Sequence, residues 1–161
     1  MGMVSLYQLI GPRAIDETRS VVILEDGELP KDSYAFMEFY CDDGECDCRR
    51  VIFQVWRESK PGKIWAAITY GWETPEYYAS WSRWARGADA EEMATATLEP
   101  LSPQTKLAPA LLRLFKDVLQ SDAAYVERLK RHYHEACPQR GVVRATRPKG
   151  KEWFKRKGRN R

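Results

Sequence analysis

The chain has no long hydrophobic run and no recognisable targeting sequence, and each absence excludes a class of protein. The longest apolar segments, such as Ile64–Ile68, are far shorter than the roughly 20 residues that a helix needs to cross a bilayer, so no transmembrane segment is predicted. No basic stretch leads into an apolar segment near the N-terminus, so we expect no secretory signal and a cytoplasmic location.

Motifs and residue types that support catalysis are also scarce. Neither a Walker A loop nor a G-x-G-x-x-G sequence occurs, which argues against a nucleotide site. The chain has only 2 histidines, which limits nucleophilic catalysis of the Ser–His or Cys–His type. The H-E-x-x-H sequence of zinc proteases and the H-x-E with P-C-x-x-C signature of zinc deaminases are absent. We therefore expect that the protein is not an enzyme.

The charges divide the chain into two parts. With 161 residues, 43% hydrophobic and 12% aromatic, the chain is long enough and apolar enough for one folded domain with a core. Residues 138–161 contain ten basic residues and one acidic residue, a net charge of +9, so that residues 1–137 carry −6 of the chain's total of +3. This asymmetry predicts a globular domain over residues 1–137 and a basic, flexible tail over residues 138–161.

Hydrophobic patterning predicts an α+β fold. Three aromatic or β-branched runs with short connections indicate an antiparallel meander, and Thr95–Leu98 is a candidate fourth strand. These runs are Tyr34–Tyr40, Arg50–Trp56 and Ile64–Tyr70. Helices are predicted from Thr74 to about Gly87, over Leu107–Leu119 and from Ser121 to about Ala136. The predicted architecture is a three- to four-stranded antiparallel sheet, covered by the C-terminal helices and carrying a zinc-binding hairpin loop.

The predicted loop between the first two strands contains three of the four cysteines. Cys41, Cys46 and Cys48 follow the spacing C-x4-C-x-C, and clustered thiols in a reducing compartment are typical of metal ligands. Asp42, Asp43, Glu45 and Asp47 lie in the same loop and would repel bare thiolates, which favours a bound divalent cation. The sequence therefore predicts a zinc ion. The alternatives are small buried cysteines without a metal, or an iron–sulfur cluster.

A closed tetrahedral zinc site needs a fourth ligand, and three candidates lie near the end of the last predicted helix. His132 shares a helical stripe with Tyr125 and Leu129 and is predicted to face the domain, so it ranks first. Cys137 ranks second and His134 ranks third. Because three soft thiolates make zinc a poor Lewis acid, we expect the metal to be structural rather than catalytic.

An aromatic stripe follows Thr74. Tyr77, Trp81 and Trp84 recur at helical spacing, which is typical of a side chain row that packs into a core. The alternatives are a platform on which the bases of a nucleic acid stack, or a groove for a partner peptide. Core packing is the favoured interpretation.

The basic tail predicts binding to nucleic acid, or to a ribonucleoprotein that contains it, without strong sequence preference. Dense positive charge releases counterions from phosphates, and Trp153 and Phe154 are suited to stack on unpaired bases of RNA or single strands. The predicted contact residues are Arg147, Lys149, Lys151, Trp153, Phe154, Lys155, Arg156, Lys157, Arg159 and Arg161. An anionic membrane surface or no specific partner are alternatives for the tail. The alternative function is a protein–protein adaptor whose acidic, zinc-stabilised body docks on a partner.

Overall fold

The computed structural model describes residues 2–83 and 87–137, and an antiparallel sheet runs through this part of the chain. Its strands are β1 (Met3–Ser5), β2 (Arg19–Ile23), β3 (Asp32–Cys41), β4 (Arg50–Arg57), β5 (Ile64–Gly71) and β6 (Ala96–Leu98). The helices are α1 (Leu6–Ile10), α2 (Arg13–Glu17), α3 (Pro75–Trp81), α4 (Ala88–Met93), α5 (Ala108–Leu114) and α6 (Ala123–Ala136). A π-helical segment over Phe115–Gln120 continues α5.

The sheet is built around the predicted meander. Strands β3, β4, β5 and β6 pair in sequence order, each antiparallel to the next. The outer edge of β3 is shared by two short strands: β1 pairs with its C-terminal end and β2 with its N-terminal end. The α+β class and the antiparallel sheet are therefore confirmed, whereas β1 and the two short helices that follow it were not predicted.

One face of the sheet carries the core. Successive side chains of a strand point to opposite faces, and along β4 buried residues alternate with half-buried ones. Val51, Phe53 and Val55 are fully buried, and the ring of Phe115 lies against this face. The centroid of the Phe115 ring is 4.8 Å from that of Phe53 and 5.7 Å from that of Tyr70. Full burial of one such side chain contributes roughly 1.5–3 kcal/mol to folding. These contacts fix the C-terminal half of the chain against the sheet.

Two helices begin where their capping residues predict. The Thr74 hydroxyl accepts a hydrogen bond from the backbone N–H of Tyr77 at 3.2 Å, and Pro75 occupies the first turn of α3. Helix α3 ends at Trp81, earlier than the predicted end near Gly87. Asp122 caps α6 by accepting from the backbone N–H of Tyr125 at 3.2 Å.

Helices α3 and α4 pack on the end of the opposite sheet face. The side chain of Arg50 donates to the carbonyl oxygen of Met93 and to the hydroxyl of Thr69, which joins the end of α4 to two strands. Close packing here depends on Gly71, because a Cβ at this position would overlap Met93 O and the Tyr78 hydroxyl. Next to these helices, half-buried Ile52 and Thr97 and buried Thr69 form the floor of a groove on this sheet face.

Candidate metal centre

Three cysteine thiols meet in the loop between β3 and β4. Cys41 ends β3, Cys46 lies in the loop and Cys48 lies just before the start of β4, and their sulfur atoms all lie within 4.8 Å of one another. Tetrahedral zinc with bonds of about 2.3 Å holds sulfur atoms roughly 3.8 Å apart, so a small contraction of the loop would suffice for binding. All four cysteines of the chain are thiols rather than disulfides.

Local hydrogen bonds shape the loop between the thiols. The carbonyl oxygen of Asp43 accepts from the backbone N–H of Cys46 at 3.1 Å, and the Asp43 carboxylate accepts from that of Glu45 at 2.9 Å. Arg49 has a φ of +48°, in the left-handed region that non-glycine residues rarely adopt. The chain thereby turns sharply between Cys48 and β4.

Three tyrosine hydroxyls hold the same loop from outside. Tyr133 of α6 accepts from the backbone N–H of Arg49 at 3.0 Å, and from α3 Tyr77 donates to Asp47 O at 2.5 Å and Tyr78 to Arg49 O at 2.9 Å. None of the three hydroxyls was predicted to contact the loop. The adjacent tyrosines Tyr77 and Tyr78, in the first turns of a capped helix, are a sequence signal for two of them, and Tyr133 carries no such signal. The loop is therefore held by two helices as well as by its own turns.

Without a cation, the surroundings of the Cys46 thiol oppose its ionisation. The pKa of Cys46 is raised because its thiol hydrogen-bonds with Cys48, and burial and the neighbouring thiols add to the effect. A divalent cation would reverse this balance by stabilising the thiolates. Close by, Arg49 pairs with Asp47 at 3.1 Å and with Glu73 at 3.2 Å, and its pKa is raised chiefly by the hydrogen bond to Asp47. Positive charge beside the loop thus partly balances its carboxylates.

Cys137 lies beside the tip of this loop. A Cβ built at Gly44 would be 3.4 Å from the Cys137 sulfur, so the residue that directly follows α6 lies close to the tip of the loop. Its sulfur is not within the 4.8 Å group that the other three cysteines form. A change in the side chain or backbone at this helix end would be needed to bring it into the group.

His132 does not join the cysteines, and the prediction that it is the fourth ligand is corrected. Its side chain is fully buried, as predicted, but Nδ1 lies 2.6 Å from Glu38 Oε2 and Nε2 contacts a carboxylate oxygen of Glu17. Both ring nitrogens are therefore engaged by carboxylates and neither is available to a metal. His134 is exposed on α6 and is likewise outside the cysteine group.

The pKa of His132 is set by opposing effects. Burial alone would lower it, but the hydrogen bonds and negative charges of Glu38 and Glu17 outweigh burial and raise it. The hydrogen bond from His132 is in turn the main reason that the pKa of Glu17 is lowered. Tyr40 donates to Glu38 at 2.7 Å within this cluster. Buried His132 and Glu38 and half-buried Glu17 form an ion network rather than a metal site.

The aromatic stripe after Thr74 is only partly buried. Tyr78 is fully buried, but it did not belong to the predicted row, whereas Trp81 remains 38% exposed and Tyr77 is half-buried. The early end of α3 explains the difference, since Trp81 is its final residue. Trp84 lies outside the described residues, as does the whole of 138–161 with its predicted nucleic-acid contacts.

Comparisons with known proteins place no further constraint on the site. No protein-family model matches the chain. No curated protein and no solved structure matches it either. Within residues 2–83 and 87–137, no helix has the length and apolar character that crossing a membrane requires.

Proposed function

We propose that the protein is a small module, stabilised by a structural zinc ion, that binds nucleic acid through its basic C-terminal segment. The observation that carries the proposal is the meeting of three thiols within 4.8 Å beside Cys137, the residue that immediately precedes the basic segment. A metal at this position would fix the point from which residues 138–161 leave the folded body.

Zinc is the metal that this donor set favours. Thiolate sulfur selects soft or borderline cations such as zinc and disfavours magnesium and calcium, which take oxygen ligands. Cys137 is the fourth ligand in this proposal because its sulfur lies beside the loop while His132 is held by two carboxylates. Four thiolates leave no open position for water, so the proposed role of the metal is structural.

Cobalt substitution tests the metal and its fourth ligand. We expect one metal ion per chain and the visible spectrum of tetrahedral cobalt. Replacing Cys137 by alanine should lower the thiolate charge-transfer absorbance by about a quarter, since one of four thiolates is removed. His134→Ala, three residues away and exposed, is the matched control and should leave the spectrum unchanged. Purified protein without stoichiometric metal affinity, or a spectrum altered only by His134→Ala, would contradict the proposed site.

Charge distribution supports nucleic acid as the partner of the C-terminal segment. The segment carries +9 whereas residues 1–137 carry −6, so phosphate is attracted to the former and repelled by the latter. Trp153 and Phe154 stand among its basic residues and are able to stack on unpaired bases. Binding should therefore be electrostatic, tolerant of sequence and stronger for RNA or single strands than for duplexes.

A salt series with a fluorescent single-stranded RNA tests this prediction. Affinity should fall steeply between about 50 and 200 mM salt. Changing Lys155, Arg156 and Lys157 together to glutamine should make the slope of log affinity against log salt concentration less steep. The slope should change by about one for each phosphate that the segment no longer neutralises. The matched control changes three exposed lysines of the body, Lys31, Lys106 and Lys116, to glutamine. Equal effects of the two triple variants, or no binding at the lowest salt concentration, would instead favour the adaptor function.

A further inference from the structure

A groove lies on the sheet face opposite the aromatic core, between the cysteine loop and α4. Its cavity volume is about 430 Å³, within the range of ligand and peptide sites. Ile52, Thr69 and Thr97 of three adjacent strands form its floor, and the three clustered cysteines line it as well. Trp81 and Met93 contribute an exposed aromatic ring and a flexible thioether to its lining. The groove thus offers an apolar surface bordered by the proposed metal site.

The charged groups around the groove are mainly acidic. Asp89 and Glu92 on α4 are exposed, and Glu99, just after β6, is half-buried. The one cation that lines the groove in the described residues, Arg50, donates to Met93 O and to the Thr69 hydroxyl, and its guanidinium lies 5.4 Å from the centroid of the Tyr78 ring. Its charge is thus directed into the wall. An occupant that combines apolar rings with positive charge would match this surface.

This chain contains such an occupant. Trp153 and Phe154 are adjacent, and Lys151, Lys155 and Arg156 flank them. The basic segment starts after Cys137, whose sulfur lies beside Gly44 in the loop that carries the groove-lining cysteines. The roughly 15 intervening residues span up to about 50 Å when extended, and roughly 20 Å as a flexible coil, which is enough to reach any part of the groove.

We propose that Trp153 and Phe154 dock in this groove in the free protein, with the neighbouring basic side chains facing Asp89, Glu92 and Glu99. The connection within one chain gives an effective concentration in the millimolar range, so even weak contacts would populate the docked state. Docking does not depend on nucleic-acid binding. Where the proposed function holds as well, the same residues serve both interactions, so groove and nucleic acid compete for the segment.

Photocrosslinking of the full chain tests the docking. With p-benzoylphenylalanine at position 154, irradiation of dilute protein should give crosslinks within one chain to the groove, chiefly to Met93, because benzophenone reacts readily with a thioether in contact. Mass spectrometry identifies the sites. Crosslinks to another face of the body, crosslinks only between chains, or none at all would overturn the proposal.

A charge reversal in the groove provides the second measurement. Glu92→Lys should lower the crosslinking yield roughly threefold or more, because it reverses one exposed charge contact. Glu25→Lys, in the exposed β2–β3 connection, is the control and should leave the yield unchanged. An equal fall in yield for both variants would contradict docking at this groove. If crosslinks reach Met93 but RNA does not bind, the proposed function fails while docking stands. If RNA binds and the crosslinks are absent, the reverse holds.

Discussion

At the scale of single residues, the cluster of buried His132 and Glu38 with half-buried Glu17 is predicted to make stability depend on pH. The pKa of His132 is raised in the folded protein by the two carboxylates despite its burial. Its contribution to stability is therefore fully present below the unfolded value of about 6.5 and is lost as the pH rises through the folded value. Tyr40 and Tyr125, which face Glu38 in the same cluster, have pKa values well above 10 and stay neutral across this range.

We predict that the free energy of unfolding falls as the pH rises above about 6.5 and through the raised pKa of His132 in the folded protein. Glu17→Gln should move this fall to lower pH, because one of the two stabilising charges is gone. Urea unfolding at a series of pH values measures the effect, which amounts to about 1.4 kcal/mol for each pH unit by which the two pKa values differ. His134→Gln on the same helix is the control and should retain the wild-type profile. A profile that Glu17→Gln leaves unchanged would show that the cluster does not control this range.

At the scale of elements, the packing of α3 and α4 on the sheet depends on one glycine. Gly71 ends β5 where Met93 O and the Tyr78 hydroxyl approach its backbone. Gly71→Ala is predicted to destabilise the fold by about 2–3 kcal/mol, because the added methyl group must displace backbone of α4 and the buried ring of Tyr78. Urea unfolding gives the decrease in stability, and hydrogen exchange should show faster opening of Ala88–Met93 than in the wild type.

Gly27→Ala is the matched comparison for this element, since a Cβ at Gly27 meets nothing within 4 Å. Its effect on stability should stay within about 0.5 kcal/mol, as at other surface positions. If both alanine variants are destabilised equally, the effect at Gly71 is not specific to helix packing, since Gly→Ala acts on the unfolded chain in the stabilising direction.

At the scale of the whole molecule, the proposed zinc would join the β3–β4 loop to the end of α6. Energy from structural zinc is largely folding energy, on the order of 10 kcal/mol at neutral pH, and here it would act between segments far apart in sequence. We predict that a strong chelator lowers the melting temperature of the full chain and that added zinc restores it, as followed by circular dichroism. The Cys46→Ser variant should melt at a lower temperature than the untreated wild type. This should hold both with and without the chelator. A wild-type melting temperature that does not respond to chelation would exclude a structural metal.

The sequence by itself determined the features that depend on short-range chain geometry. Cys41, Cys46 and Cys48 meet because a short loop joins two adjacent antiparallel strands, so their spacing alone brings the thiols close. Thr74 and Asp122 begin helices for an equally local reason, since a side chain oxygen caps backbone N–H groups three residues onward.

Only the tertiary structure decided which distant groups meet. Helical spacing correctly placed His132 on the inward face of α6, but it contained no information on whether that face meets the cysteine loop or the carboxylates of Glu38 and Glu17. The position of Cys137 beside Gly44 and the hydroxyl contact of Tyr133 with the loop follow likewise from how α6 lies on the sheet. Such pairs depend on the packing of whole elements, because residues many tens of positions apart are brought together by the core and not by the chain that connects them.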